Sequence, residues 1–144
     1  MNSHFKSIIV PVDGSDGASR AAAFAADLAA NCDCPLQLLH VYSPEPGEVL
    51  GMAGLDREKI QQIGRESAAT AFANAREQIS AEGVEIEEKV VWGEPREEIL
   101  AAAEANHAMV VMGRRGLGRM KGLLLGSVSA AVLHASKRPV TLVN

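Results

Sequence analysis

Short runs of aliphatic residues alternate along the chain with longer segments in which apolar residues recur every three or four positions. The short runs are typical of strands buried in a parallel sheet, and the longer segments are typical of amphipathic helices. The predicted strands occupy residues 7–12, 36–41, 84–92, 109–112 and 140–143. The predicted helices occupy residues 16–31, 56–81, 95–106 and 127–135. Strands and helices therefore alternate throughout the sequence.

Strict alternation of strand and helix requires right-handed crossovers and places helices on both faces of a parallel sheet. Because no internal repeat, linker or low-complexity segment interrupts the pattern, we expect one domain over residues 1–144, a three-layer α/β/α sandwich. In such sheets ligands lie at the carboxyl ends of the strands, where the strand order reverses. The ends of the first and fourth strands, at Asp13 and Gly113, are the natural candidates for a ligand site.

The composition narrows the class of protein. Of the 144 residues, 47% are hydrophobic but only 3% are aromatic, so the core must be mostly aliphatic and alanine. A net charge of −4 argues against a nucleic-acid or anionic-membrane surface, since both need concentrated Lys and Arg. The first apolar run is short and interrupted by Pro11, unlike a signal peptide, and no window approaches the roughly 20 apolar residues of a spanning helix. We therefore expect a cytoplasmic protein without membrane insertion.

Residues that ligate metals are few and scattered. Cys32 and Cys34 form a C-x-C pair, which is neither a redox C-x-x-C motif nor a zinc half-site with partners elsewhere. The four histidines show no matching ligand spacing: His4, His40, His107 and His134. We expect two free thiols and no metal held directly by protein side chains.

A glycine-rich loop follows the fourth strand, with Gly113 and Gly116 separated by nine further residues from Gly126 and Ser127. Glycine leaves backbone N–H groups unshielded, and such groups surround anions as a nest. Gly126 to Ser129 then opens the last helix, whose N-terminus favours anions and whose two serine hydroxyls add donors. Four cations lie in the same stretch of an otherwise acidic chain: Arg114, Arg115, Arg119 and Lys121. Together these features predict a polyphosphate site.

Other interpretations of the loop are weaker. A Walker P-loop requires G-x-x-x-x-G-K-[ST], and no lysine follows Gly122 or Gly126 at the required place. A dinucleotide fingerprint requires a third glycine where this chain has Lys121, and it belongs to the first strand. The first turn, from Asp13 to Asp16, lacks the double glycine of pyrophosphatase-type synthetase loops. The plain alternative is that the glycines only shape a turn between strand and helix.

The sequence resembles the universal stress proteins, whose nucleotide-binding pattern is G-x2-G-x9-G-[ST]. The pattern matches Gly113, Gly116, Gly126 and Ser127 without gap or substitution. The resemblance covers essentially the whole chain, including IIVPVDGSDGASRAAAFAADLA, LQLLHV, WGEPREEILAAAE and GRRGLGRMKGLLLGSVSAAVLHASKRPVTLV. It implies a Rossmann-like sandwich of the adenine nucleotide alpha hydrolase type, with five parallel strands in the order 3-2-1-4-5. Because some members lack the glycine pattern and do not bind ATP, this chain is similar to the ATP-binding branch.

The resemblance also implies residue roles. Asp13 would contact the adenosine end, Pro11 and Val12 would line the base pocket, and Val41 would offer its backbone N–H and C=O to the adenine edge. Gly113 and its neighbours would hold ribose and the first phosphate, and the rest of the loop would hold the outer phosphates with bridging Mg²⁺ or Mn²⁺. The implied ATP-binding set is Pro11, Val12, Asp13, Val41, Met112, Gly113, Arg114, Arg115, Gly116, Leu117, Gly118, Arg119, Gly126, Ser127, Val128 and Ser129. No catalytic residue is implied.

Several singled-out residues also have structural interpretations. Asp13 is a good N-cap for the first helix, but we prefer a ligand role because ligands lie at that strand end. Arg114 and Arg115 are either phosphate ligands or ordinary surface charges. We interpret His40 as a structural strand residue. Where family members often have Ala-Asp before the fourth strand, this chain has His107 and Ala108, and we expect altered helix–strand packing there with ATP binding intact.

Three functions follow as hypotheses. The first is a regulatory module in which ATP orders the glycine loop and the Pro- and Gly-rich loop at residues 43–55, and a partner protein recognises that state. The second is a slow ATPase or phosphoryl-transfer protein, disfavoured because no Asp, Glu or Gln lies within residues 113–131 to orient a water. The third is a nucleotide-free interaction protein. The resemblance implies a homodimer through the edge strand at residues 140–143, with a tetramer as an alternative.

Overall fold

The computed structural model describes residues 4–44, 51, 53–115 and 125–144. Five strands form the sheet: β1 (Ser7–Pro11), β2 (Leu36–Tyr42), β3 (Ile86–Trp92), β4 (Ala108–Gly113) and β5 (Val140–Val143). The helices connecting them are α1 (Asp16–Cys32), α2 (Arg57–Gln78), α3 (Pro95–Ala105) and α4 (Ser127–Ala135). Most of the loop expected at residues 43–55, and residues 116–124 of the glycine loop, lie outside the described residues.

All strand pairs are parallel, and the strands lie in the order β3-β2-β1-β4-β5. The predicted α/β class and strand order are therefore confirmed. The strand order reverses between β1 and β4. Strands β2 and β3 lie on one side of β1, and strands β4 and β5 lie on the other side. Ligand crevices in open α/β sheets form above this point.

The predicted element boundaries need small corrections. The expected helix at residues 56–81 begins one residue later, because Asp56 is its N-cap and its Oδ1 accepts from the Lys59 N–H at 2.8 Å. It ends at Gln78, because Ile79 has extended backbone angles. Strand β3 begins at Ile86 instead of residue 84. Helix α4 and strand β5 have the predicted bounds.

Helices cover both faces of the sheet. On one face α1 and α2 bury alanines against β1 and β2, with Ile8, Val10 and Leu38 fully buried beneath them. On the other face α3 and α4 pack through Ile99 and Val132. Alanine supplies most of the buried residues of α1 and α2, as the composition predicted. Among the described residues, no helix is long and apolar enough to cross a bilayer.

His107 lies in the turn between α3 and β4, at the end of the sheet opposite the glycine loop. Its side chain is exposed and its φ is +47°, while its carbonyl accepts from the Lys6 N–H at 2.8 Å. Histidine is one of the residue types that adopt this left-handed region more readily than most. Of this pair only Ala108 is buried, whereas His107 lies outside the helix–strand contact, and the expected change in that packing stays a prediction.

The first turn of α1 touches the end of β4 through backbone atoms. A Cβ added at Gly17 would lie 2.7 Å from the Arg115 carbonyl oxygen, and one added at Gly113 would lie 2.9 Å from the Gly17 carbonyl. Real Cβ atoms do not approach other atoms so closely, so both positions require glycine. The contact holds the β1–α1 turn beside the start of the glycine loop.

We expect Gly17→Ala to lower the free energy of unfolding by about 1–3 kcal/mol, because the backbone it meets cannot move aside easily. The loss should occur although alanine favours a helix by about 1 kcal/mol over glycine. Urea denaturation followed by circular dichroism measures it. A matched control is Gly64→Ala in α2, whose Cβ would have as its nearest neighbours atoms of a side chain, the 40% exposed Trp92 ring, and not backbone atoms. Equal or higher stability of Gly17→Ala than of the parent protein would contradict the steric argument.

Candidate functional site

A cavity of about 300 Å³ opens at the carboxyl ends of β1, β2 and β4, where the strand order reverses. It lies on the α3 and α4 side of the sheet and extends to the first turn of α1. Its lining residues are Pro11, Val12, Asp13, Ser15, Ala18, Leu39, Val41, Pro95, Ile99, Met112, Gly113, Arg115, Gly126, Ser127, Val128 and Ser129.

Most of the residues expected to bind ATP border this one cavity. They are Pro11, Val12, Asp13, Val41, Met112, Gly113, Arg115, Gly126, Ser127, Val128 and Ser129. Arg114 is not among the lining residues. Its N–H donates to Val143 and its carbonyl accepts from Gly126, so it joins β4 to β5 and to the start of α4. Gly116, Leu117, Gly118 and Arg119 lie outside the described residues.

Five lining residues were not anticipated: Ser15, Ala18, Leu39, Pro95 and Ile99. Leu39 lies two residues before Val41 on the same face of β2, so strand alternation alone was a sufficient signal for it. Ser15 belongs to the turn already singled out for Asp13. Pro95 and Ile99 come from the first two turns of α3, and their approach to the cavity depends on a tertiary contact that no motif signals.

The β1–α1 turn satisfies its own polar groups. Asp13 Oδ1 accepts from the Ser15 N–H at 3.0 Å, and Ser15 Oγ accepts from the Ala18 N–H at 3.2 Å. Ser15 is therefore the N-cap of α1, not Asp13. The carboxylate of Asp13 stands at the same helix N-terminus and gives this end of the cavity a negative charge.

The β4–α4 junction is built differently. Its N-cap is Gly126, which makes no side-chain cap hydrogen bond, and Ser127 is exposed. Ser129 is buried, and its hydroxyl donates to the Gly113 carbonyl at 2.7 Å. The Ser129 proton is thus used inside the fold, which leaves Ser127 as the serine donor directed to solvent. The first N–H groups of α4 lack intrahelical partners and carry the positive end of its dipole.

The middle of the cavity is apolar. Leu39, Val41, Ile99 and Met112 line it together with Pro95. Such a surface suits a flat, weakly polar ring, while polar groups at its edges set the orientation. Of the described residues that line the cavity, Arg115 is the one with a full positive charge. In the described part of the chain, no group of three or more His, Cys, Asp or Glu side chains is arranged to hold a metal ion.

Val41 lines the cavity, and the direction of its backbone groups follows from the hydrogen bonds of its neighbours. Leu39 accepts the Val12 N–H at 2.8 Å, and Tyr42 accepts the Gly93 N–H at 3.2 Å. Backbone groups alternate in direction along a strand, so Val41, like Leu39, points its N–H and C=O towards β1. Since β1 ends at Pro11, opposite Leu39, the groups of Val41 lie beyond its last paired residue.

The family model of the universal stress proteins matches residues 4–144. A universal stress protein of Thermus aquaticus is 37% identical over 140 residues, which cover 96% of this chain and 98% of the relative. A universal stress protein of Mycobacterium tuberculosis, Rv2005c, is 35% identical over 133 residues, and there the match spans only 43% of the relative.

Solved structures give the same picture. The structure of the hypothetical protein MJ0577 is similar with a TM-score of 0.80 and 27% identity, covering 98% of this chain and 96% of that one. A universal stress protein in complex with cAMP has a TM-score of 0.63 and 31% identity, covering 99% of both chains. The universal stress protein of Archaeoglobus fulgidus in complex with dAMP has a TM-score of 0.66 and 26% identity, covering 99% of this chain and 100% of that one. The chain therefore belongs to the universal stress protein family.

Proposed function

We propose that residues 1–144 form one universal stress protein domain that binds ATP and acts in the cytoplasm as a nucleotide-responsive regulatory module of the stress response. One observation carries the proposal: a single cavity joins a carboxylate at the end of β1 to a helix N-terminus without a side-chain cap at the start of α4. Between them lies an apolar surface formed mainly by Leu39, Val41, Ile99 and Met112. A partner protein that recognises the nucleotide-bound state would complete the module.

Charge decides which way the nucleotide lies. At the α1 end, Ser15 caps the helix and the Asp13 carboxylate would repel phosphates. At the α4 end, N–H groups and the Ser127 hydroxyl favour them, and Arg115 adds a positive charge. The phosphates therefore point to α4, and Asp13 accepts hydrogen bonds from the sugar hydroxyls.

The base then occupies the apolar part of the cavity, beside Val41. The backbone N–H and C=O of Val41 match the acceptor and the donor on the edge of an adenine. The nucleotide complexes of two similar structures, one with cAMP and one with dAMP, support an adenine nucleotide as the ligand class. The choice of ATP rests on the cation-rich glycine loop, which supplies charge for more than one phosphate.

A divalent cation fits this site only as part of the nucleotide. Mg²⁺ and Mn²⁺ prefer oxygen ligands, and Mg²⁺ retains several waters when it binds phosphates. Because the described residues offer no group of three or more His, Cys, Asp or Glu side chains that could hold a metal, phosphate oxygens would hold the ion, and Ser127 is the exposed serine at the phosphate end that could add a hydroxyl.

Binding, and not rapid hydrolysis, is the activity this cavity favours. Phosphoryl transfer to water needs a group that orients the attacking water near the last phosphate. Among the described residues, the carboxylate that lines the cavity belongs to Asp13, which stands at the end opposite α4. A slow ATPase remains the second candidate, with turnover measured as phosphate release by the purified protein.

We expect Ser127→Asp to bind Mg-ATP at least about tenfold more weakly than Ser127→Asn, as measured by calorimetric titration of nucleotide-free protein. The two side chains have the same shape, but only aspartate puts a negative charge beside the phosphates. Aspartate in the first turn also stabilises a helix by about 0.3–1 kcal/mol, so weaker binding cannot be attributed to a damaged fold.

ADP and AMP titrated in parallel separate the phosphate contributions. If both Ser127 variants bind ATP with the affinity of the parent protein, the phosphates lie away from α4. A folded parent protein that binds none of the three nucleotides would contradict the proposed function and leave a scaffold whose role lies in its surfaces.

We also propose that the chain forms a homodimer through β5, with a tetramer as the larger alternative. Strand β5 lies at the edge of the sheet and pairs with β4 on one side. The Pro139 and Val143 carbonyls accept from β4-side N–H groups, so by alternation Val140 and Leu142 point their N–H groups away from β4. An exposed strand edge of this kind can pair with another chain.

We expect Leu142→Pro to be monomeric where the parent protein and Leu142→Val are dimeric, in sedimentation-velocity experiments at matched concentration. Proline removes the N–H that points outward and leaves the β4 pairing intact, and the valine variant controls for the smaller side chain. A Leu142→Pro protein that remains dimeric would show that another surface forms the dimer.

A further inference from the structure

His40 is a polar side chain buried between two residues of the site, Leu39 and Val41. Only 6% of it is exposed. It lies on the opposite face of β2 from the cavity, where α2 covers the sheet. Its Nδ1 is 2.7 Å from the Val12 carbonyl oxygen, and its Nε2 is 3.1 Å from Ser67 Oγ on α2. The imidazole therefore joins three elements, namely β2, the end of β1 and α2.

The two contacts determine the tautomer. A carbonyl oxygen can only accept, so Nδ1 must carry the proton that it shares with Val12. In the neutral ring Nε2 then accepts from the Ser67 hydroxyl. The Phe72 ring packs edge-on against the imidazole, with centroids 6.4 Å apart and planes at 76°. Both nitrogens and the ring plane are thus held in one orientation.

The Val12 carbonyl is the group that a longer β1–β2 ladder would use. Leu39 already accepts the Val12 N–H, and in a parallel pair the next bond would run from the Val41 N–H to the Val12 carbonyl. That carbonyl instead turns towards α2 and accepts from His40. The bond to His40 thus competes with continuation of the ladder and favours a Val41 N–H directed at the cavity.

We propose that His40 is a positioning residue for the nucleotide site, which takes the Val12 carbonyl and so leaves the Val41 backbone directed at the base. The inference rests on the proposed function, because it concerns binding of the same nucleotide. Ser67 is the second member of the arrangement, since its hydroxyl fixes the ring from α2.

A second contact from α2 supports the same conclusion. Asn74 Nδ2 donates to the Gly14 carbonyl at 3.1 Å, and Gly14 has a φ of +91°, which favours glycine. Helix α2 therefore holds the carbonyls on both sides of Asp13, that of Val12 through His40 and that of Gly14 through Asn74. Because peptide units are planar, holding these two carbonyls restricts the backbone that presents Asp13 to the cavity.

The test compares Mg-ATP affinity, by calorimetry, in His40→Asn and His40→Leu. Asparagine places an amide N–H close to the position of Nδ1, whereas leucine has no donor; both lose the bond to Ser67. We expect His40→Leu to bind about tenfold more weakly than His40→Asn, a difference of about 1.4 kcal/mol. Urea denaturation of each variant shows whether affinity follows the donor or the overall stability.

Ser67→Ala gives a test that does not disturb the core, since Ser67 is exposed on a helix where alanine is favourable. Thr70→Ala, one turn further along α2, is its matched control, because its hydroxyl bonds only within the helix, to Glu66. We expect Ser67→Ala to weaken ATP binding about threefold, a change of about 0.65 kcal/mol, and Thr70→Ala to leave it unchanged. In ¹⁵N spectra of the imidazole, Ser67→Ala should shift the Nε2 resonance and keep Nδ1 protonated.

The outcomes separate the two proposals. If the parent protein, His40→Leu, His40→Asn and Ser67→Ala all bind ATP equally strongly, the positioning role is overturned and the proposed function stands. An imidazole protonated on Nε2 alone would overturn it as well. Should both His40 variants fail to fold, Ser67→Ala against Thr70→Ala decides. A folded parent protein without nucleotide binding would overturn the proposed function, and the role of His40 with it.

Discussion

The first turn of α1 lies against the end of β4 with backbone touching backbone, at Gly17 and Gly113. This contact brings the β1–α1 and β4–α4 junctions to one point above the sheet, at the reversal of strand order. The cavity lies between the two junctions, so its volume depends on how closely helix and strand approach. Because neither Gly17 nor Gly113 has a Cβ atom, the first turn of α1 and the end of β4 can touch at the border of the cavity.

Much of the fold could be predicted from the sequence, because its signals are local. Aliphatic runs such as the one at Ile8 to Val10 have the period of buried strands, and the alanine-rich segment after Ser15 has the period of a helix. The parallel arrangement follows from strict alternation, since each helix must return the chain to the same end of the sheet. The boundaries of the helices and strands were harder to predict, because caps and turns set them. Asp56, for example, lies outside α2 because its side chain accepts the Lys59 N–H as the N-cap.

The candidate site was predictable where its residues end a strand or begin a helix, as Asp13, Gly113 and Ser127 do. It was not predictable where a contact joins distant segments. Pro95 reaches the cavity only through the packing of α3, and His40 looked like a structural strand residue because Ser67 and Val12 are 27 and 28 positions away in the chain. Residues 116–119 keep their expected roles as predictions.

The two helix N-termini at the cavity illustrate how cap chemistry encodes charge preference. Both follow a strand and a glycine, and both offer the positive end of a helix dipole. After β1 the chain places Asp13 and Ser15, which use the helix N–H groups internally and add a negative charge. At the start of α4 the N-cap is Gly126, which has no side chain to accept the helix N–H groups. The hydroxyl of the buried Ser129 donates to the carbonyl of Gly113 on β4. One end is thus prepared for hydroxyl donors and the other for anions, so a ligand that carries both has a single favourable orientation between them.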